Sequence, residues 1–187
     1  MKIGVIVSGL PASGKTRTGR ELAAGLGFAF LDKDAFLEDL YDRTAVRSLE
    51  DRNRLSRQSD RTFRNEAIRL GSAVLVSHWR PPGMKDQSGT PTDWLADAYD
   101  AVVEVSCCCS PKVACARFFA RTRHPGHLDS VRDREELAIR MASWADRYPL
   151  GVGALVEFRT DQPADFAPVI ENVRTEISRA RRRLSGA

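Results

Sequence analysis

The chain has 187 residues, 42% of them hydrophobic, and a net charge of +4. That length suits one α/β domain with a substantial core, so a single domain over residues 1–187 is expected. No stretch approaches the ~20 apolar residues of a membrane span, and the mild positive charge needs nothing more than a phosphate-handling site.

Lys2 to Ser8 is a β-branched run, as a buried parallel strand would be. It leaves no room for a signal peptide, and a cytoplasmic protein that touches no membrane is expected. Gly9-Leu10-Pro11-Ala12-Ser13-Gly14-Lys15-Thr16 follows, a complete G-x-x-x-x-G-K-T phosphate-binding loop. The glycines let successive backbone N–H groups turn inward to cradle phosphate oxygens. Lys15 reaches the outer phosphates, the Thr16 hydroxyl is a ligand for Mg²⁺, and the helix start near Gly14 adds its positive dipole end. Thr16 to Leu26 reads as that helix, with Leu22, Ala23 and Leu26 on one face and Gly25 and Gly27 as stop signals.

A second strand is predicted over Phe28–Leu31, followed by Asp32-Lys33-Asp34-Ala35-Phe36. In this topology the second strand lies near the first. One carboxylate of the Asp32 and Asp34 pair is then suited to hold Mg²⁺, and the other to take the proton of an attacking hydroxyl. The plainer alternative is that one of them caps the next helix, on which Phe36, Leu37, Leu40 and Tyr41 share a face. Residues 43–69 contain eight arginines, and the segment before Phe63 is too polar for a core helix. Phe63, Ala67 and Leu70 form the next helical group.

The third strand, Ala73–Ser77, ends in Ser77-His78-Trp79-Arg80, without the Mg²⁺-linked carboxylate that many phosphate-loop proteins carry there. Either metal support falls to Asp32, or the strand is misplaced; His78 and Arg80 are candidate substrate contacts. Residues 79–94, rich in Pro, Gly, Ser and Thr, read as a long loop. A strand over Ala101–Cys108 runs into a helix with Val113, Ala116, Phe119 and Ala120 on one face. On that helix Arg117 and Arg121 lie four apart, hence on one side, and lead into a loop over 121–131. A lid built there would bring its arginines onto the adenine and the γ-phosphate. Arg123, His124 and His127 belong to this loop with no assigned part beyond shaping it. Leu137, Met141 and Trp144 mark another helix, Gly153–Phe158 a fifth strand, and Asp165 towards Arg183 a last helix with a solvated basic end. Cys107, Cys108, Cys109 and Cys115 fit no common zinc spacing and are expected as small buried apolar residues.

Alternating strands and helices of this length predict an α/β fold of three layers, a P-loop NTPase fold with a five-stranded parallel sheet and a mobile lid. The phosphate site then lies at the carboxyl edge of the strands. The substrate-binding region is expected in about 35–70 and 79–95, and the lid in about 117–131.

With Gly9–Thr16, Asp32-Lys33-Asp34-Ala35-Phe36 and Arg117-Phe118-Phe119-Ala120-Arg121 in place, the chain resembles the small P-loop kinases. These include shikimate and gluconate kinases, chloramphenicol phosphotransferase, zeta toxins and the kinase domain of phage polynucleotide kinase. The resemblance implies ATP and Mg²⁺, Asp34 as general base, Arg121 as the lid arginine and Arg117 beside the adenine. Phe63-Arg64-Asn65-Glu66 is loosely similar to the substrate motif of shikimate kinase, which makes Arg64 a candidate substrate contact. Leu37 stands where polynucleotide kinases carry a substrate-side arginine, and that disfavours a nucleic-acid acceptor. The leading expectation is an ATP-dependent kinase acting on a hydroxyl of a small molecule. The alternatives are a 5'-hydroxyl polynucleotide or nucleotide kinase, and a nucleotide-binding switch without acceptor chemistry.

Overall fold

The computed structural model describes residues 1–84 and 89–186. Five strands, β1 (Ile3–Ser8), β2 (Ala29–Asp32), β3 (Ala73–Val76), β4 (Ala101–Cys108) and β5 (Ala154–Arg159), form one sheet in the order β2-β3-β1-β4-β5. Every pairing is parallel. This is the five-stranded parallel sheet read from the sequence. In the expected order β2 was near β1; β3 in fact lies between them. Asp32 at the end of β2 nevertheless reaches the phosphate loop, because β2 and β3 run in register and end level, Asp32 opposite Val76.

The helices are α1 (Lys15–Leu26), α2 (Lys33–Arg43), α3 (Leu49–Leu70), α4 (Leu95–Ala98), α5 (Pro111–Ala120), α6 (Arg134–Ala145) and α7 (Ala167–Ser185). Strand side chains alternate between the two faces. On one face Ile3, Val5 and Val7 of β1 pack with Leu22 of α1 and Val169, Val173 and Ile177 of α7. On the other, Ile6 of β1 and Leu75 of β3 pack with Phe63 and Ala67 of α3 and with Trp79, Trp94 and Leu95. A third cluster joins Leu10 of the phosphate loop to Phe118 of α5 and to Met141 and Trp144 of α6. It anchors the loop against the helices at the open edge of the sheet.

The expectation that the segment before Phe63 is too polar for a core helix is corrected. The helix starts at Leu49, and Leu55, Ser59, Phe63 and Ala67 form its buried stripe. One contact every fourth residue is enough to dock a helix whose other faces are solvated. Leu70, expected on that stripe, is 37% exposed. A further correction concerns α5, which ends at Ala120; Arg121 leaves it in an extended conformation and is not on the helix. In the 79–94 segment, Trp79 pairs with Thr90 through an isolated bridge; residues 85–88 of that predicted loop lie outside the described residues. Cys107 and Cys115 are buried, Cys108 and Cys109 half-buried, and all four are free thiols. No helix among the described residues is long and apolar enough to cross a membrane.

Candidate active site

The phosphate loop leaves β1 and curls back into α1. Gly9 has φ +130°, and a Cβ there would sit 2.6 Å from the carbonyl oxygen of Cys107. Gly14 caps α1 with φ 96°. Both positions thus exclude ordinary side chains. Lys15 Nζ donates to the carbonyls of Gly9 and Leu10 at 3.0 and 2.7 Å. Burial lowers its pKa to about 8, against a partial opposing effect of Cys107 and Asp34. The hydroxyl of Ser13 is buried with no partner among the described residues. An ammonium held only by loop carbonyls and an orphaned buried hydroxyl are the makings of an anion cradle.

Thr16 Oγ1 donates to Asp32 Oδ2 at 2.7 Å. Asp32 Oδ1 accepts from the Asp34 amide at 3.1 Å, so Asp32 both caps α2 and meets the loop. Burial, and then the nearby Asp34 charge, push its carboxyl above the ordinary range. A hydroxyl and a carboxylate held this close fit a divalent cation that completes its oxygen shell with phosphates and water. Beside them, β3 ends without a carboxylate, and Ser77 and His78 line the cleft there. Ser77 bonds Thr90 at 2.5 Å. The His78 ring sits 5.2 Å from that of Trp144, and burial, then Lys15, lower its pKa to about 3. It is a neutral imidazole.

Asp34 faces the same cleft, its side chain 47% exposed, with Arg123 NH2 2.5 Å from Oδ2. Burial alone would raise this carboxyl, but Arg123 and the neighbouring cations outweigh that and hold it below the ordinary value. Arg123 is braced on its other side by Asp129 at 3.2 Å. Arg121 lies over the Phe118 ring at 4.8 Å, and burial, then repulsion from Arg123, lower its pKa to about 10. Arg117 donates to the carbonyl of Thr160 at 2.7 Å. These groups line one cleft of about 780 Å³ together with Pro11, Ala12, Gly14, Lys15 and Thr16. The 121–131 loop docks on α2: His127 Nε2 is 2.8 Å from Glu38 Oε1, and His124 stacks on Tyr41.

Two expected substrate contacts lie elsewhere. Arg64 sits over the Trp94 ring at 5.8 Å. Arg80 lines a separate cavity of about 360 Å³, with NH2 bonded to the Gly89 carbonyl. Sequence reasoning gave no part to Arg123, nor to Arg52, Arg57 and Lys33 on the cleft wall. It also passed over Glu104, 1% exposed on β4. This carboxylate accepts from Ser8 Oγ at 2.6 Å and from the amides of Leu150 and Gly151 at 2.7 and 2.9 Å. Through Ser8 it ties the strand feeding the phosphate loop to the segment before β5. A lone charge within an apolar strand was the signal, because a buried carboxylate has to be bonded.

The parallel sheet, the loop and the cleft at the strand ends define the fold of the small P-loop kinases. The sequence pattern of the AAA domain family matches residues 5–142, and the chain belongs to that family. No curated protein sequence matches it. Among solved structures, a proposed kinase from Chloroflexus aurantiacus j-10-fl is 26% identical, with a TM-score of 0.77, over 94% of this chain and 98% of that one. Shikimate kinase from Bacteroides thetaiotaomicron shares the fold at 17% identity and a TM-score of 0.63, over 95% and 99% of the chains. A gluconokinase from Sinorhizobium meliloti 1021 does so at 18% and 0.53, over 97% and 95%.

Proposed function

We propose that the protein is an ATP-dependent kinase that transfers the γ-phosphate to a hydroxyl of a small molecule, with Asp34 as the base. The observation that carries this reading is the opening of the Asp34 carboxylate into the same cleft as Lys15 and Thr16, one residue beyond Lys33 and two beyond Asp32. Relatives in fold that are described as sugar, shikimate or gluconate kinases add support for a small acceptor.

In this reading the loop amides and Lys15 hold the β- and γ-phosphates, and Arg117 flanks the adenine. Residues 35–70 and 79–95 form the acceptor side and 117–131 the lid. Lys15 leaves the Gly9 and Leu10 carbonyls for phosphate oxygens, a stronger charge-assisted partner. Thr16 and Asp32 would hold Mg²⁺, which supplies charge neutralisation at the phosphates when bound. Asp34 orients the acceptor hydroxyl and takes its proton as the new P–O bond forms. Arg121, with no carboxylate partner among the described residues, stabilises charge on the transferred phosphoryl group.

The test is ADP formation by the purified protein with a panel of sugars, polyols, hydroxy acids, nucleosides and a 5'-hydroxyl oligonucleotide. Acceptor-dependent ADP formation, lost in Asp34→Asn, is the expected result. ATP hydrolysis indifferent to every acceptor would overturn the reading in favour of an ATPase or switch. Turnover with the oligonucleotide alone would move the acceptor to nucleic acid.

A further inference from the structure

Beyond the residues read as nucleotide contacts, the cleft is walled by further cations. Arg17 comes from α1, Arg52 and Arg57 from α3, Arg123 and Arg132 from the segment after α5, Arg140 from α6, and Lys33 from the start of α2. Carboxylates accompany some of these cations: Asp34, Asp60 and Asp129 in the wall and Glu136 beside Arg140. The pairing is uneven. Lys33 meets Asp60 at 3.6 Å, and Arg123 has Asp34 and Asp129. Arg132 reaches Asp129 only at 3.8 Å, on a carboxylate already shared, and Arg140 reaches Glu136 at 3.7 Å.

Arg52 has no carboxylate at all among the described residues. Its NH1 donates to the Asn53 side-chain oxygen at a long 3.5 Å, and its Nε is buried without an acceptor. Arg57 makes no ion pair among the described residues either. Arg132 also lies near enough to other guanidiniums to be repelled by them. Burial depresses the Arg132 pKa first, and then Arg52, Arg140 and Arg123 add to the effect. Like charges brought together from three elements, with a buried donor unsatisfied, cost stability unless an anion joins them.

We propose that Arg52 and Arg132, with Arg57 and Arg140 at the rim, form a subsite for a phosphate group carried by the acceptor, so that this kinase acts on a hydroxyl compound already phosphorylated elsewhere. The proposal rests on the kinase reading for the direction of transfer, though not for the binding of the anion. Arg52 and Arg57, neither with a carboxylate partner among the described residues, bring two positive charges, which matches a phosphate monoester carrying about −1.5 to −2 at neutral pH. Planar guanidinium forks suit its oxygens, each pair of N–H donors meeting two acceptors. A carboxylate would leave part of the charge unanswered, and a neutral acceptor would leave Arg52 Nε as it is.

The experiment fills the phosphate loop first, with a non-hydrolysable ATP analogue and Mg²⁺. Inorganic phosphate, acetate and glycerol are then titrated calorimetrically. Phosphate is expected to bind about tenfold or more tightly than acetate, and glycerol not at all. An Arg52→Gln/Arg132→Gln protein is expected to lose phosphate affinity by about tenfold while keeping the analogue and melting no lower than the parent protein. Should that protein fail to fold, Arg57→Gln and Arg140→Gln singly are each expected to weaken phosphate about threefold.

Equal affinity for phosphate and acetate, or unchanged phosphate affinity in the variants, overturns the subsite. In turnover, phosphorylated acceptors no better than their dephosphorylated counterparts overturn it while leaving the kinase reading intact. Phosphate binding as expected, with no acceptor promoting ADP formation, instead removes the kinase reading and keeps the anion subsite.

Discussion

The carboxylate of Asp34 is bonded to the guanidinium of Arg123, NH2 to Oδ2 at 2.5 Å, across 89 residues of sequence. In this state the proposed base is tied up by a cation and is a poor proton acceptor. A nucleotide offers Arg123 stronger partners, and a move onto phosphate oxygens would release Asp34 as the acceptor hydroxyl arrives. The proposed lid and the proposed base would thereby be coupled through one ion pair.

The coupling predicts a shift in the pH profile. Arg123 holds the Asp34 carboxyl below its ordinary value, so Arg123→Gln should raise it. Asp34 then stays protonated to higher pH, and the acid limb of kcat/KM is expected to move upward. Arg123→Lys, which keeps the charge, should leave the limb near its original position. An identical limb in Arg123→Gln would show that Asp34 is not the group titrating.

Lys15 carries a second pH dependence. Its pKa is lowered to about 8 by burial, so the free protein loses the ammonium as pH rises through that value. Nucleotide affinity is expected to be flat below pH 8 and to fall above it, by up to about tenfold per pH unit. Binding near pH 8 should take up a proton, seen as a buffer-dependent heat in calorimetry. Lys15→Ala should remove the proton uptake and lower kcat by roughly 10²–10³-fold, the scale of losing one transition-state donor.

Much of this site was readable from the chain, for reasons tied to distance along it. Gly9–Thr16 is local: eight consecutive residues fix the backbone that performs the task, and strand and helix on either side confirm the context. The sheet was readable because buried parallel strands are nearly continuous apolar runs, as β3 and β1 up to Val7 are. Asp34 with Arg123, Glu104 with Leu150, and Arg52 with Arg132 were not, because each pair is joined only by the tertiary fold. The stripe of α3 was missed for another reason. Ser59 is one of its four buried residues, so the apolar pattern is too thin to stand out from the arginines around it.

Two histidines should contribute to the pH dependence of stability. His127 is 1% exposed, and burial, with Arg123 second, lowers its pKa to about 3; His78 is likewise lowered to about 3. An unfolded histidine titrates near ~6.5. Between about 3 and 6.5 the unfolded chain therefore binds protons that the folded chain does not, and stability rises with pH through that window. Acidification from pH 7 to 5 should cost about 2 kcal/mol for each such histidine. His127→Gln should be less stable at pH 7, with a shallower fall in melting temperature towards pH 5. A parallel fall in both proteins would rule out His127 as a source of the slope.

Glu104 should matter to stability far more than its distance from the proposed chemistry suggests. It satisfies the Ser8 hydroxyl and two amides of the segment before β5 at once. Glu104→Leu fills much of the volume but leaves all three donors without this acceptor, the Ser8 hydroxyl and the Leu150 amide being buried at a cost of about 1–3 kcal/mol each. Partial relaxation brings the expected total to about 3–5 kcal/mol, or roughly 10 °C in melting temperature for a chain of this size. Glu104→Gln keeps one acceptor oxygen and should fall between the two. Because Ser8 immediately precedes Gly9, loosening this bond should also weaken nucleotide binding, and a Ser8→Ala protein should show the same loss in milder form. A Glu104→Leu protein with parental melting temperature would mean that water or a shifted backbone replaces the carboxylate, and that the phosphate loop does not depend on it.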